Sequence, residues 1–211
     1  TAVEVIKPKV MLDKPIYSGF TILELSKLLM YEFYYNVMKP RYPSLKLLFT
    51  DTDSFTFEIP TEDLYQDLQD PQQNQHLDFS NYPADHPLHS VRNRAVLGKF
   101  KDECEGFPAN EFIGLRSKMY SIDIHGRDQK NTAAGVKRCV KNRVLKHELY
   151  REVLLDRKDV YVTQKTIQSK NHILKTVEQY RVGLSAYDDK RYILEDGIRT
   201  LPYGHSLIDD E

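Results

Sequence analysis

The sequence predicts an α+β fold, in which an antiparallel sheet with packed helices is followed by a small basic module. Short β-prone runs flank polar turns along much of the chain, and one broad apolar helical segment precedes them. Positive charge is concentrated beyond Gly126. A chain of 211 residues is long enough for one or two domains with a hydrophobic core. We therefore expect two parts, residues 1–125 and residues 126–211.

The composition is that of an ordinary globular protein, with 29% charged and 40% hydrophobic residues. No apolar stretch approaches the roughly 18 residues that span a bilayer, so no membrane partner is expected. The chain begins at Thr1, without an initiator Met or a signal-peptide pattern, and we expect it to be a fragment. Cys104 and Cys139 lack metal-ligand spacing, which favours free thiols in a reducing compartment.

The net charge of −1 hides an uneven distribution of charge. Residues 51–90 contain nine acidic side chains and no Lys or Arg, whereas residues 126–175 contain 13 Lys or Arg against five Asp or Glu, a net charge of +8. Such a basic segment is typical of a protein with a polyanion partner, and nucleic acid is the first candidate. Composition alone is equally compatible with a solvated basic helix.

A helix is predicted over residues 21–39. Thr21 and Glu24 have the spacing of a capping box, and Pro40 is expected to end the helix. Apolar residues recur along one broad face: Ile22, Leu25, Leu29, Met30, Phe33, Tyr34, Val37 and Met38. So wide an apolar surface is typical of a helix packed under a sheet, and these residues are predicted to be core.

Residues 45–59 have the pattern of a β-hairpin, because two β-prone runs flank the turn Asp51-Thr52-Asp53-Ser54. Period-two alternation is expected to place Asp51 and Asp53 on the same side of the bend. Two carboxylates there repel each other unless a cation lies between them, and oxygen ligands suit Mg²⁺ or Mn²⁺. A solvated polar turn is the alternative, because Asp and Ser are common turn residues.

The middle of the chain is predicted to contain a short helix near residues 64–68, an irregular surface loop over 70–90, and strands over 96–103 and 111–123. The histidines of the loop match no zinc-binding pattern.

Lys118 and Tyr120 are two residues apart, so on a strand both side chains face the same way. An ammonium beside an aromatic hydroxyl suits a grip on a phosphate and on a sugar or base. An exposed strand edge with a half-buried Tyr is the alternative interpretation.

The basic segment is predicted to be one helix over residues 135–155. It is followed by a strand near 160–167, a strand or short turn over 171–177, and turns at 188–189 and 196–197. Valines and leucines form its apolar side, and five basic residues cover the remainder: Lys137, Arg138, Lys141, Arg143 and Lys146.

Three motifs together resemble the C-terminal half of family B DNA polymerases, in particular the protein-primed branch of viruses, organellar plasmids and large DNA transposons. Phe49-Thr-Asp-Thr-Asp-Ser54 is similar to motif C, usually Tyr-x-Asp-Thr-Asp-Ser. Leu97-Gly-Lys-Phe-Lys-Asp-Glu103 resembles the strand that follows motif C. Lys118-Met-Tyr120 is similar to the Lys-x-Tyr motif between palm and thumb. The resemblance covers nearly the whole chain.

The resemblance implies an antiparallel palm sheet in residues 1–125 and a thumb in residues 126–211. It also implies a two-metal nucleotidyl transfer, in which Asp53 is the principal metal ligand, Asp51 is the accessory carboxylate and Mg²⁺ or Mn²⁺ is the cofactor.

The same resemblance implies the partners. Lys118 and Tyr120 would position the primer end, and the basic helix would hold duplex DNA through Lys137, Arg138 and Lys141. Deoxynucleoside triphosphates and a terminal priming protein are implied as further partners. The site of action is implied to be nuclear, viral or organellar.

Two motifs of the family are not found in this sequence. Motif A, an Asp-x-x-Ser-Leu-Tyr-Pro-like run, supplies the other metal-binding aspartate, and motif B, Lys-x-x-x-Asn-x-x-Tyr-Gly, meets the incoming nucleotide. Both precede motif C, but neither occurs in the 50 residues before Asp51. We therefore expect the isolated chain not to polymerise DNA, and Mg²⁺-dependent primer extension would contradict that expectation.

Two other functions are compatible with parts of the sequence. A Mn²⁺-dependent glycosyltransferase also uses an Asp-x-Asp motif, but it leaves Lys118-Met-Tyr120 and the basic helix unexplained. A non-enzymatic DNA-binding remnant explains the basic helix without catalysis. An EF-hand calcium loop is excluded, because Phe55 and Thr56 stand where a ligand and a Gly are required.

Overall fold

A computed structural model of the protein describes residues 13–125 and 130–208. The chain divides into two compact units, Thr1–Leu64 and Tyr65–Glu211. The α+β class is confirmed, as several small antiparallel sheets and short helices. The boundary predicted near Gly126 lies outside the described residues. No helix in the described part of the chain is long and apolar enough to cross a membrane.

The first unit begins with a helical rod made of α1 (Ile16–Glu32), a π-helical segment (Phe33–Met38) and α2 (Lys39–Arg41). The predicted capping box is wrong, because Thr21 lies inside α1 and its hydroxyl donates to the carbonyl of Tyr17 (2.9 Å). The predicted end at Pro40 is also wrong. Proline is tolerated there because it stands in the first turn of a new helical segment.

The predicted core face of the rod is confirmed only in part. Met30, Phe33 and Met38 are buried, whereas Ile22 and Leu25 are more than 60% exposed. The burial coincides with aromatic contacts that join the π-helical segment to the hairpin that follows it. Among residues 13–64, which the structure describes in this unit, no aromatic contact of this kind reaches Ile22 or Leu25.

The predicted hairpin is confirmed. Strand β1 (Lys46–Asp51) pairs antiparallel with β2 (Ser54–Glu58), and Asp51 stands opposite Ser54. At the far end of the hairpin, Lys46 and Glu58 form an ion pair of 2.9 Å.

The two units divide at the first residue of α3 (Leu64–Asp67), which confirms the predicted short helix, and α4 (Pro71–Asn74) follows in the second unit. The strand predicted over 96–103 is wrong. Only β4 (Phe100–Lys101) forms there, parallel to β3 (Leu77–Asp78), because positive φ angles at neighbouring residues bend the chain.

The segment 70–90, predicted as an irregular surface loop, contains α4 and β3 and is partly buried. Phe79, Tyr82 and Leu88 are all at most 5% exposed. The Asp102 carboxylate anchors this segment, since it accepts the Tyr82 hydroxyl (2.7 Å) and the Cys104 N–H (2.7 Å). The Tyr82 contact therefore fastens the segment to the chain that follows β4.

A three-stranded antiparallel sheet follows, in the order β5 (Ala109–Arg116), β6 (Met119–Ile124) and β7 (Lys130–Ala133). The single strand predicted over 111–123 is wrong. The chain turns back at Lys118, whose φ of 57° is incompatible with a continuous strand.

The predicted basic helix is two helices, α5 (Arg138–Val144) and α6 (His147–Asp156). Leu145 interrupts them, because its backbone leaves the helical region (φ −89°, ψ 84°). Its carbonyl accepts a hydrogen bond from the Asn131 side-chain amide (2.7 Å) instead of continuing the helix.

A long antiparallel hairpin, here called the arm, consists of β8 (Val160–Lys170) and β9 (Ile173–Leu184). The strand predicted near 160–167 is therefore confirmed and is longer than expected. The two turn residues, Asn171 and His172, both have positive φ, as a type I′ turn requires.

The chain closes with a small hairpin of β10 (Arg191–Ile193) and β11 (Thr200–Pro202). The main core of the second unit joins the three-stranded sheet, α5, α6 and the base of the arm: Ile113, Leu115, Met119, Ala133, Val140, Leu145, Tyr150, Val153, Val162, Leu184 and Ala186.

Candidate functional site

The hairpin turn presents two carboxylates within three residues. Asp51 is the last residue of β1, and Asp53 is the second residue of a two-residue turn. Three contacts hold the turn: Asp53 N–H to Asp51 carbonyl (2.6 Å), Ser54 hydroxyl to the same carbonyl (3.2 Å), and Thr52 hydroxyl to the Asp51 carboxylate (3.1 Å). Thr52 has a φ of 57°, which costs a β-branched residue about 1–3 kcal/mol.

The alternation argument that related Asp51 to Asp53 does not apply, because the strand ends at Asp51. Within the hairpin, cross-strand pairing places Asp51 on the face opposite Phe55. Phe55 stacks on Phe33 of the rod at a centroid distance of 6.4 Å and on Phe57 at 5.0 Å. Aromatic packing therefore fixes one face of the hairpin, and Asp51 lies on the other.

The donor set of this turn suits a hard cation. Carboxylate oxygens from Asp51 and Asp53 are the ligand type that Mg²⁺ and Mn²⁺ prefer, and Mg²⁺ commonly takes one or two carboxylates together with water and phosphate oxygens. Among the described residues there is no group of three or more His, Cys, Asp or Glu side chains placed to hold a metal. The turn can thus supply two ligands of a site but not a complete cage.

The structure places Lys118 and Tyr120 differently from the predicted strand pair. Lys118 is an exposed turn residue, whereas Tyr120 is a half-buried residue of β6 that packs against Phe112 (centroid distance 5.9 Å). Strand alternation does not relate the two side chains. Met119, between them, is 2% exposed and anchors the turn in the core.

The three predicted DNA-binding residues of the basic helix lie at the start of α5. Lys137 and Arg138 are exposed. Lys141 is half-buried, and its ammonium donates to the Asn131 carbonyl. Burial, with a smaller contribution from the positive charge of Arg138, lowers the pKa of Lys141. Lys137 and Arg138 are therefore the better placed of the three for a phosphate.

Basic residues of the arm, which the sequence analysis did not single out, lie on one face of it. This inner face comprises residues 162, 164, 166, 168 and 170 with their partners 181, 179, 177, 175 and 173. At its base Val162 and Gln164 are buried. Arg181 is paired with Val162 at the base, and Lys175 and Lys170 lie farther out on the same face; all three are exposed.

Arg181 connects the inner face to the start of α5. Its guanidinium lies so close to Gly135 that a Cβ there would be 2.5 Å from Nη2. Gly135 also has a φ of 83°, so the position favours glycine for two reasons. We call the resulting set of five cations the basic track: Lys137, Arg138, Arg181, Lys175 and Lys170. Lys170 and Arg181 lie outside the segments predicted over 160–167 and 171–177, so no pattern within those segments indicated the track.

Comparisons with protein-family models, with curated proteins and with solved structures find no match for this chain.

Proposed function

We propose that this chain is the palm remainder and thumb of a DNA-directed DNA polymerase that resembles the protein-primed branch of family B. The observation that carries the proposal is the hairpin turn with Asp51 at the end of a strand and Asp53 in the bend, inside a motif C-like sequence. Bound Mg²⁺ or Mn²⁺ supplies Lewis-acid activation of a primer 3′-hydroxyl and neutralises triphosphate charge.

Residues of the first unit supply the two metal ligands and hold them in position. Asp53 acts as the principal ligand and Asp51 as the accessory one. The hydroxyls of Thr52 and Ser54 brace the turn, and the stack of Phe55 on Phe33 holds the hairpin on the rod. Such bracing reduces the conformational entropy that two carboxylates lose when they bind a cation together.

The second unit supports the thumb assignment. Its basic track offers five exposed cations to a polyanion, and duplex DNA carries one phosphate charge per about 1.7 Å of helix axis. Lys118 and Tyr120 are assigned to the primer strand. Because the motif A-like and motif B-like runs do not occur in this sequence, the chain supplies only part of a polymerase site.

The metal assignment predicts weak Mn²⁺ binding at the turn. We expect a dissociation constant on the order of 1 mM, because two carboxylates are few ligands, and a loss of about tenfold in Asp53→Asn or Asp51→Asn. Paramagnetic broadening of NMR signals from residues 49–56, followed as Mn²⁺ is added, measures this dissociation constant. Glu62→Gln is the matched control, since Glu62 is an exposed carboxylate outside the turn, and it should bind Mn²⁺ as the unchanged protein does. Equal broadening in Asp53→Asn and Glu62→Gln would contradict the assignment.

The thumb assignment predicts salt-dependent binding of duplex DNA through the basic track. In the double variant Lys175→Gln/Arg181→Gln, the slope of log K against log salt should fall by about two units, because two phosphate contacts are lost. Lys165→Gln is the control, because Lys165 lies on the opposite face of the same arm and should leave the slope unchanged. Fluorescence anisotropy of a labelled primer-template between about 50 and 200 mM salt gives the slope.

The two measurements together separate the candidate functions. Metal binding with DNA binding supports the polymerase proposal, and DNA binding without metal binding indicates a DNA-binding remnant. Mn²⁺-dependent binding of a nucleotide-sugar, without affinity for DNA, would indicate the glycosyltransferase and overturn the proposal.

A further inference from the structure

The face of the arm opposite the basic track has a different chemistry. This outer face comprises residues 161, 163, 165, 167 and 169 with their partners 182, 180, 178, 176 and 174. Tyr161 and Tyr180 stack on each other near the base (centroid distance 5.1 Å, interplanar angle 12°). Large side chains on it are exposed, at 72% for Tyr180, 72% for Ile167 and 73% for Leu174. An apolar face of this kind is typical of a protein interface.

The outer face forms five cross-strand rows, with a charged row at the centre. Lys165 stands directly opposite Glu178 in the third row. Each of the other four rows pairs one larger with one smaller side chain: Tyr161 with Val182, Tyr180 with Thr163, Ile167 with Thr176, and Leu174 with Ser169. The larger residue lies on β8 in two of these rows and on β9 in the other two.

This arrangement is complementary to itself. Consider two arms whose outer faces meet, related by a two-fold axis that runs parallel to the strands between them. This axis places β8 of one copy over β9 of the other, and each row then faces the same row of the second copy. Lys165 of each copy then faces Glu178 of the other. In every remaining row the larger side chain of one copy faces the smaller one of the other. The alternative axis, perpendicular to the strands, would instead oppose Lys165 to Lys165.

We propose that the outer face of the arm is a self-association surface, whose occupant is the outer face of a second copy of this chain. The inner face with its basic track points the other way, so both surfaces are available at once. The proposal does not depend on the polymerase assignment.

The size of the face sets the strength of the association. Five rows about 7 Å apart on a ribbon about 10 Å wide give a face on the order of 300 Å² per copy. That is well below the area of stable complexes, so we expect a weak dimer with a dissociation constant between about 10 µM and 1 mM. Facing sheets cross at about 30°, which displaces the outer rows most and the Lys165–Glu178 row least.

The central row provides a test that separates contacts between copies from contacts within one arm. In a dimer of the Lys165→Glu variant, the two central rows would bring four carboxylates together. In a dimer of the Glu178→Lys variant, they would bring four ammonium groups together. Each variant should associate at least about tenfold more weakly than the unchanged chain. An equimolar mixture of the two variants restores opposite charges only between copies, because neither arm regains its own cross-strand pair. Sedimentation equilibrium from about 10 µM to 1 mM measures all four samples: the unchanged full chain, each variant and the mixture.

The expected result is a dimer of the unchanged chain, monomers of each variant, and a mixed dimer of near-original affinity. Lys175→Glu, a charge reversal on the inner face, should leave association unchanged. A monomer up to about 1 mM would overturn the proposal. So would a dimer that Lys165→Glu leaves intact, or a mixture that does not associate.

Discussion

Replacing His147 by alanine should lower the free energy of unfolding of the second unit by about 3 kcal/mol or more. His147 begins α6 and is 2% exposed. Its Nδ1 lies 2.7 Å from the Ser121 hydroxyl on β6, and its Nε2 lies 2.9 Å from the Glu111 carboxylate on β5. Alanine leaves a cavity and removes the partner of two polar groups at once.

The hydrogen bonds around Ser121 explain why His147→Ala should lower the free energy of unfolding so much. The Asn131 amide donates to the Leu145 carbonyl, so its oxygen faces Ser121 (2.6 Å) and accepts the Ser121 hydroxyl proton. The His147 Nδ1 contacts the same hydroxyl from the other side (2.7 Å), so Ser121 bridges the Asn131 amide and the imidazole. The chain of contacts thus joins all three strands of the sheet to α6 through one imidazole.

Urea denaturation followed by circular dichroism measures the change. Arg151→Gln is the matched control, because Arg151 binds the same Glu111 carboxylate from the exposed side of α6 and should cost less than about 1 kcal/mol. A loss below about 1 kcal/mol for His147→Ala would show that the network is not cooperative.

The Arg151→Gln variant should also change how the free energy of unfolding depends on pH. The Arg151 guanidinium, and secondly His147, hold the pKa of Glu111 below its usual range. A lowered carboxyl pKa contributes stability above the unfolded value of about 4.3, and this contribution is lost as the pH falls through the lower folded value. Arg151→Gln should therefore slightly lower stability above about pH 4.3, leave it unchanged at strongly acidic pH, and so make the acid side of the stability profile less steep.

Elements determined by neighbouring residues could be predicted from the sequence. The Asp51–Ser54 hairpin follows from two β-prone runs and a polar turn, and the first strand of the arm follows from the β-branched residues near 160–167. Their register and bounds depend on few other residues. The helix break at Leu145 could not be predicted, because its cause is the amide of Asn131, 14 residues away in sequence.

The candidate site could likewise be predicted only where its residues are close in sequence. Asp51 and Asp53 are two residues apart, so a local pattern was sufficient to find them. The basic track brings Lys137 beside Arg181 only through the pairing of β8 with β9 and the contact at Gly135. Lys118 was assigned to a strand because propensity does not reveal a turn that the buried Met119 and the sheet register impose.

Replacing Gln164 by leucine should cost about 2–4 kcal/mol of stability and weaken DNA binding as well. Gln164 is 6% exposed, and its amide accepts from the Lys137 N–H (2.9 Å) while it donates to the Gly135 carbonyl (3.1 Å). Leucine has a similar volume but leaves both backbone groups without these partners. Because the two bonds set the start of α5 against the arm, their loss should also separate Lys137 from Arg181.

Gln168→Leu distinguishes this explanation from a general effect of an added apolar residue. Gln168 lies on the same inner face but is exposed, so the change should alter stability by less than about 0.5 kcal/mol and leave the salt dependence of DNA binding unchanged. Thermal denaturation and primer-template anisotropy on both variants give the comparison. If Gln164→Leu lowers stability but retains full DNA affinity, the track does not act as one surface. If stability and DNA affinity fall together, the buried amide of Gln164 sets the geometry of the cations around it.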